Sequence, residues 1–320
     1  MTPLEAARAI EANVLRVIRG KAPEVRLALV ALYAGGHLLI EDVPGTGKTV
    51  LARALARSLD AKFRRLQCTQ DLLPSDVTGV TVFDPSAGTF TFKEGPVFTD
   101  LLLADEINRA TPRAQSALLE SMEERQVTAD GTTYPLSKLF FVVATQNPIE
   151  LEGTFPLPEA QLDRFALQIK LGYPTTDALV EILADQTERH PLETLEPVAT
   201  GEDLIAIQAA VRSVKLDRSL ARYLGELVAA TREGDEVVLG ASPRAGIWLA
   251  RAARARAFLL ERDHVLPDDI QALAHVVLDH RLILSPRARL AGASARGVVA
   301  AVLERVAVPL APGADPPPAE

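Results

Sequence analysis

Residues 41–49 read EDVPGTGKT, and Gly45, Thr46, Gly47, Lys48 and Thr49 have the types and order of a phosphate-binding loop. Glycines at 45 and 47 let main-chain amides approach an anion, and an amide-lined helix start attracts it. A lysine at 48 reaches β- and γ-phosphates, and a threonine hydroxyl at 49 binds Mg²⁺. The strict pattern G-x-x-x-x-G-K-[ST] asks for glycine at 42, where this chain has Asp42. A carboxylate at about 4 Å from a phosphate charge costs roughly 4 kcal/mol at an effective dielectric near 20. The stretch can therefore bind ATP only if Asp42 leaves the preceding strand with its carboxylate turned away from the phosphates.

Four further stations carry related chemistry. LLLADE (101–106) is an apolar run ending in two acids. Asp105 can hold Mg²⁺ through water, and Glu106 can polarise an attacking water. Asn147, just past LFFVVATQ, can orient that water or touch a γ-phosphate. Arg164 in LPEAQLDRF can stabilise the transition state of phosphoryl transfer in a neighbouring subunit. Arg244 follows Ser242 and Pro243 at a helix start, from which it can reach back to a γ-phosphate. Each station alone has a plainer explanation. Asn147 precedes Pro148 and could merely end a strand. Arg164 could pair with Asp163 or Glu159. Arg244 has Arg251, Arg254 and Arg256 as company. Their order along one chain carries more weight than any single one.

The elements that must position them are legible as periodicity. Ile10, Val14, Val17 and Ile18 form one helical stripe, and Val25, Leu29 and Leu32 continue in a second helix. HLLIE (37–41), FRRLQC (63–68), LLLADE, LFFVVATQN and FALQIKL (165–171) read as buried strands with helices between them. Such alternation predicts a three-layer α/β/α domain with a parallel sheet, whose ligands bind past the strand ends. VTVF and FTF flank DPSAG as one hairpin within 72–95, and QVTADGTTYPL (126–136) is a second, turning at Asp130-Gly131. After Pro174 the pattern is helical: 176–189, 202–213, 217–232, 243–261, 267–281 and 286–306. The expected domains are 1–174, α/β with N-terminal helices; 175–306, all-α; and 307–320, a Pro-rich tail read as disordered.

Composition narrows the function classes. The net charge of −8 gives no general attraction to a phosphate backbone, which makes nucleic acid an unlikely partner. Cys68 is the only cysteine, so the chain can form neither an internal disulfide nor a thiolate cluster, and a reducing compartment fits. No apolar run approaches the roughly 18 residues of a membrane span, and the N-terminus lacks a signal-like apolar stretch, so a cytoplasmic location is expected.

In combination the stations resemble those of an AAA+ ATPase. LLADEINRATPRAQSALLESMEERQVT, then FFVVATQNPIELEGTFPLPEAQLDRF and later GASPRA, resemble the MoxR subfamily across roughly residues 5–306. The resemblance implies a P-loop (Walker A) at Gly45–Thr49, Walker B at Asp105 and Glu106, and sensor 1 at Asn147. It also implies an arginine finger at Arg164, sensor 2 at Arg244, and an all-α lid. It implies ATP and Mg²⁺ as cofactors and a homo-oligomer, a hexameric ring. The implied work is chaperone-like, maturing protein complexes or inserting a metal cofactor, with a von Willebrand factor A domain protein as partner. Both hairpins would face a pore or client, and Arg109 and Arg113 could touch a neighbouring subunit. Two alternatives stay open: a nucleic-acid translocase or helicase on the same fold, and a non-hydrolysing nucleotide-dependent scaffold. The 72–95 insert offers only Lys93 as a base beside Asp84 and Glu94, a poor surface for DNA.

Overall fold

A computed structural model describes residues 1–86, 88–148, 153–185 and 191–309. The chain forms two compact units, Met1–Ala210 and Val211–Glu320. The first opens with helices α1 (Pro3–Leu15) and α2 (Ala22–Tyr33), capped at its start by a reciprocal Thr2–Glu5 box. There follow β1 (Leu38–Glu41), α3 (Lys48–Ser58), β2 (Phe63–Gln67), a short α4 (Pro74–Thr78), and the hairpin β3 (Gly79–Asp84)–β4 (Thr89–Glu94). Next come β5 (Leu101–Asp105), α5 (Pro112–Glu124), the hairpin β6 (Gln126–Ala129)–β7 (Thr132–Pro135), β8 (Phe141–Gln146), α6 (Glu159–Leu162), β9 (Leu167–Ile169) and α7 (Thr176–Asp185).

The five predicted strands make one sheet in the order β2-β5-β8-β1-β9, every pair parallel. Leu39, Leu102, Ala104, Val142 and Ala144 pack with Leu118, Leu119 and Met122 of α5 in one cluster. The alternate residues Leu38, Ile40, Leu103 and Val143 are equally buried, so both faces of the sheet are covered. Burial on both faces is why these strands read as continuous apolar runs rather than as alternation. Parallel pairing also places every strand's carboxyl end at one edge. Asp42, Cys68, Glu106 and Asn147 therefore leave the sheet side by side, although up to 105 positions separate them in sequence (147 − 42). β1 lies between β8 and β9 while its successor β2 lies at the far edge, so the glycine loop leaves the sheet where chain order reverses, the usual ligand crevice.

Buried His37 ties this arrangement together ahead of β1. Its Nδ1 accepts from the Val142 amide at 3.0 Å, which leaves Nε2–H to donate to the Met122 carbonyl at 3.2 Å. Burial, with Arg125 adding to it, holds the ring neutral by depressing its pKa to about 4.

The second hairpin turns at Asp130 and Gly131, both with positive φ (49° and 78°), as the Asp-Gly pair predicts. Phe92 of β4 stacks on Tyr134 of β7 with ring centroids 4.3 Å apart, so the two hairpins touch. Phe83 and Phe90 near the end of the first hairpin face each other at 5.1 Å and stay exposed.

The remaining helices are α8 (Gly201–Ser213), α9 (Arg218–Ala230), α10 (Pro243–Leu259), α11 (Pro267–Leu278), α12 (Pro286–Leu290) and α13 (Ala295–Arg305). The sequence reading places the domain junction at 174/175, whereas the compact units divide within α8, between Ala210 and Val211. The second unit is not purely helical, because β10 (Val237–Leu239) pairs antiparallel with β11 (Ile283–Leu284). The predicted helix 286–306 breaks into α12 and α13, with Gly292 in the left-handed region (φ 89°) and Ser294 capping the second piece. Residues 186–189 of the predicted helix 176–189, and the Pro-rich tail from 310 onward, lie outside the described residues.

Candidate active site

The glycine loop joins β1 to α3. Gly45 and Gly47 both adopt left-handed φ (84° and 91°), which side-chain-bearing residues rarely tolerate. A Cβ at either would meet nothing within 4 Å, so the glycines serve backbone conformation and ligand approach rather than packing. Gly47 stands at the N-cap of α3, with no side chain bonded to the helix start. Lys48 Nζ donates back to the carbonyls of Asp42 at 2.6 Å and Val43 at 2.9 Å. Partial burial lowers its pKa, against the opposing pull of Asp42, Asp105 and Glu106.

Asp42 answers the question its position raises. Its Oδ2 accepts from the amides of Leu171 at 2.8 Å and Gly172 at 2.6 Å, just past β9, and its Oδ1 accepts from its neighbour Val43 at 2.8 Å. The carboxylate thus binds the chain leaving β9 rather than the amides of Gly45–Thr49. Asp42→Gly, which restores the strict loop pattern, is expected to lower the melting temperature and leave ATP affinity unimproved. It orphans the buried Leu171 donor and the partly buried Gly172 donor, at about 1–3 kcal/mol for each that water cannot reach. Tighter ATP binding without loss of stability, by calorimetry and thermal melting, would overturn this account of Asp42.

Asp105 ends β5 and is nearly buried. Its Oδ1 accepts from the Thr145 hydroxyl at 2.6 Å, and Thr145 Oγ1 accepts in turn from the Glu106 amide at 2.8 Å. Thr145, fully buried on β8, therefore ties the Asp105 carboxylate to the Glu106 backbone. Glu106 has left-handed backbone angles (φ 57°, ψ 52°), a conformation that costs a non-glycine residue about 1 kcal/mol or more. Strain of this kind gathers at functional sites, and here it turns the Glu106 side chain out of the strand's alternation. The Glu106 carboxylate accepts from Gln67 Nε2 at 2.9 Å and pairs with Arg109 at 3.4 Å.

One cavity of about 350 Å³ is lined by Gly45, Gly47, Lys48, Thr49, Asp105, Glu106, Thr145 and Asn147. The structure thus brings the loop, the two acids and Asn147 onto one wall system. Thr49 and Asp105 supply hard oxygen donors beside the loop. Among the described residues no cluster of three or more His, Cys, Asp or Glu could hold a metal alone. Few protein ligands plus phosphate oxygens is the donor set that suits Mg²⁺, so these residues fit that ion. A second cavity of about 200 Å³ shares Gly45, Thr46 and Gly47 and is walled by Val17, Ile18, Val50, Pro174 and Ile182. Arg19, Lys21 and Asp185 also line it, so this pocket beside the glycine loop is mainly apolar with charged residues on its wall.

Two arginines lie elsewhere. Arg164, after α6, pairs with Glu123 of α5 at 3.0 Å. It does not line the cavity. Arg244 sits in the first turn of α10 in the second unit, a helix whose Ser242 cap accepts from the Ala245 amide at 3.3 Å. Arg113 is exposed at the start of α5.

Sequence reasoning missed Thr145, Arg65, Gln67 and the Val17–Ile18 wall. Arg65 Nη2 donates to Asp105 Oδ2 and to Gln67 Oε1, both at 2.6 Å. The signal for the Arg65–Gln67 pair was register, since Gln67 pairs with Asp105 across β2–β5.

A family profile described as the ATPase family associated with various cellular activities (AAA) matches residues 37–167, and another, the AAA lid domain, matches 229–302. Chaperone MoxR1 of Mycobacterium tuberculosis is 40% identical over 306 residues, covering 93% of this chain and 81% of that one. This chain belongs to the MoxR-like AAA+ ATPases. The uncharacterized Bacillus subtilis protein YeaC is 50% identical over 95% of this MoxR-like chain and 94% of its own. A solved structure of a candidate ATPase from Cytophaga hutchinsonii shares 39% identity and a TM-score of 0.89, covering 96% of both chains. The AAA match of the MoxR-like chain spans the glycine loop, both acids, Asn147 and Arg164, and its lid match contains Arg244.

Proposed function

We propose that this MoxR-like chain hydrolyses Mg-ATP at the cavity between its glycine loop and Glu106, and that it works as a cytoplasmic homo-oligomeric ring, a hexamer, to remodel other proteins. The observation that carries the reading is the shared anchoring of Asp105 and Glu106 by Thr145, in the cavity that Lys48 and Thr49 also line. The amides from Gly45 to Thr49 cradle the phosphates, and Lys48 exchanges the carbonyls of Asp42 and Val43 for β- and γ-oxygens. Mg²⁺, held by Thr49 and through water by Asp105, would neutralise charge on those oxygens. Asn147 positions the attacking water, and Glu106 takes its proton. Arg164 completes the site of a neighbouring subunit, leaving Glu123 for the γ-phosphate. The role of Arg244 as a γ-phosphate contact follows the sequence pattern.

The client is a protein complex undergoing maturation or metal-cofactor insertion, with a von Willebrand factor A domain protein as adaptor. The exposed Phe83 and Phe90 suit an apolar protein surface better than a phosphate backbone. Phosphate release from Mg-ATP is expected to rise faster than linearly with protein concentration as rings assemble. ATP binding without turnover across that range would instead mark a nucleotide-dependent scaffold.

A further inference from the structure

The two acids of the site are linked by a residue that no role has claimed. Arg65 projects from the middle of β2, the edge strand next to β5. Its Nη2 and Nε reach Asp105 Oδ2 at 2.6 and 3.1 Å, and the same Nη2 also reaches Gln67 Oε1 at 2.6 Å. Gln67 Nε2 then donates to Glu106 at 2.9 Å. With Thr145 on Oδ1, both oxygens of Asp105 have partners, and one of them is a full positive charge. One guanidinium thus holds the metal-side carboxylate directly and the water-side carboxylate through one amide.

We infer that Arg65 is a built-in counter-ion that occupies Asp105 until a divalent cation takes its place. This rests on the reading that Asp105 holds Mg²⁺ through water. The physical reason is charge. Asp105 is almost enclosed, and a buried carboxylate needs a compensating partner. A dication at that carboxylate repels a guanidinium bonded to it. At about 5 Å and an effective dielectric near 20 the repulsion is roughly ten times thermal energy. Arg65 has somewhere to go, because its side chain is 45% exposed while that of Asp105 is 11% exposed.

A counter-ion and a simple brace predict opposite signs, which makes the inference testable by metal affinity rather than by turnover. The measurement is Mn²⁺ titration by electron paramagnetic resonance on the full chain saturated with a non-hydrolysable ATP analogue. Arg65→Met is expected to bind Mn²⁺ about fivefold more tightly, the factor that a partly exposed ion pair is worth. Arg65→Gln keeps a donor for Asp105 and removes only the charge, and is expected to tighten binding similarly. Unchanged or weaker Mn²⁺ binding in either folded variant overturns the counter-ion role and makes Arg65 a brace for Asp105. Analogue binding in EDTA serves as the reference for folding and for the loop. A wild-type chain that binds no analogue even with Mn²⁺ present would sink the nucleotide reading instead, so the two failures are distinguishable.

Discussion

Glu106→Gln is expected to leave ATP bound with near wild-type affinity and to lower turnover by about 10²–10⁴-fold, the range associated with loss of a general base. Glutamine is isosteric and its amide oxygen can still accept from Gln67, so the side chain has reason to stay in place. The backbone amide keeps its bond to Thr145 in either case. What disappears is the proton acceptor, a loss confined to the chemical step. Phosphate-release kinetics beside equilibrium binding of a labelled nucleotide separate the two quantities. Turnover equal to wild type would remove Glu106 from its role, and weakened binding would place it in the binding wall instead.

Arg164→Ala is expected to lower turnover by about 10³-fold or more while ATP affinity holds, as for other arginines that complete a phosphoryl-transfer site in trans. Arg164 does not line the cavity of its own chain and is engaged with Glu123. Its removal should therefore leave the binding walls intact. Mixing the Arg164→Ala and Glu106→Gln proteins should recover activity, because some interfaces in mixed rings join an intact Glu106 to an intact Arg164. The readout is turnover against mixing ratio. A mixture no more active than its parts would confine Arg164 to bracing α5 through Glu123.

The fold was legible wherever burial imposed a repeating pattern. Strands buried on both faces showed as apolar runs, and the Asp130-Gly131 turn showed through its demand for positive φ. The break at Ala291–Ser294 and the β10–β11 pair were not legible, because short irregular elements rest on long-range pairing that leaves no period. The Arg164–Glu123 pair was not legible for a similar reason, since Glu123 is distant in sequence and brought close by packing.

The residues that carry chemistry, and their order, could be read from the chain alone. Phosphate binding demands glycines, a lysine and a hydroxyl in one short loop, and acids at strand ends stand out against apolar runs. Tertiary structure decided which side chains share a carboxylate. Parallel pairing of β2, β5 and β8 sets Arg65, Gln67, Asp105 and Thr145 at neighbouring positions along one sheet edge. It also gave Asp42 a use, since β9 beside β1 presents the Leu171 and Gly172 amides that turn its carboxylate from the phosphate loop. Hydrogen bonds act over about 3 Å, and only the folded register brings residues tens of positions apart within that reach.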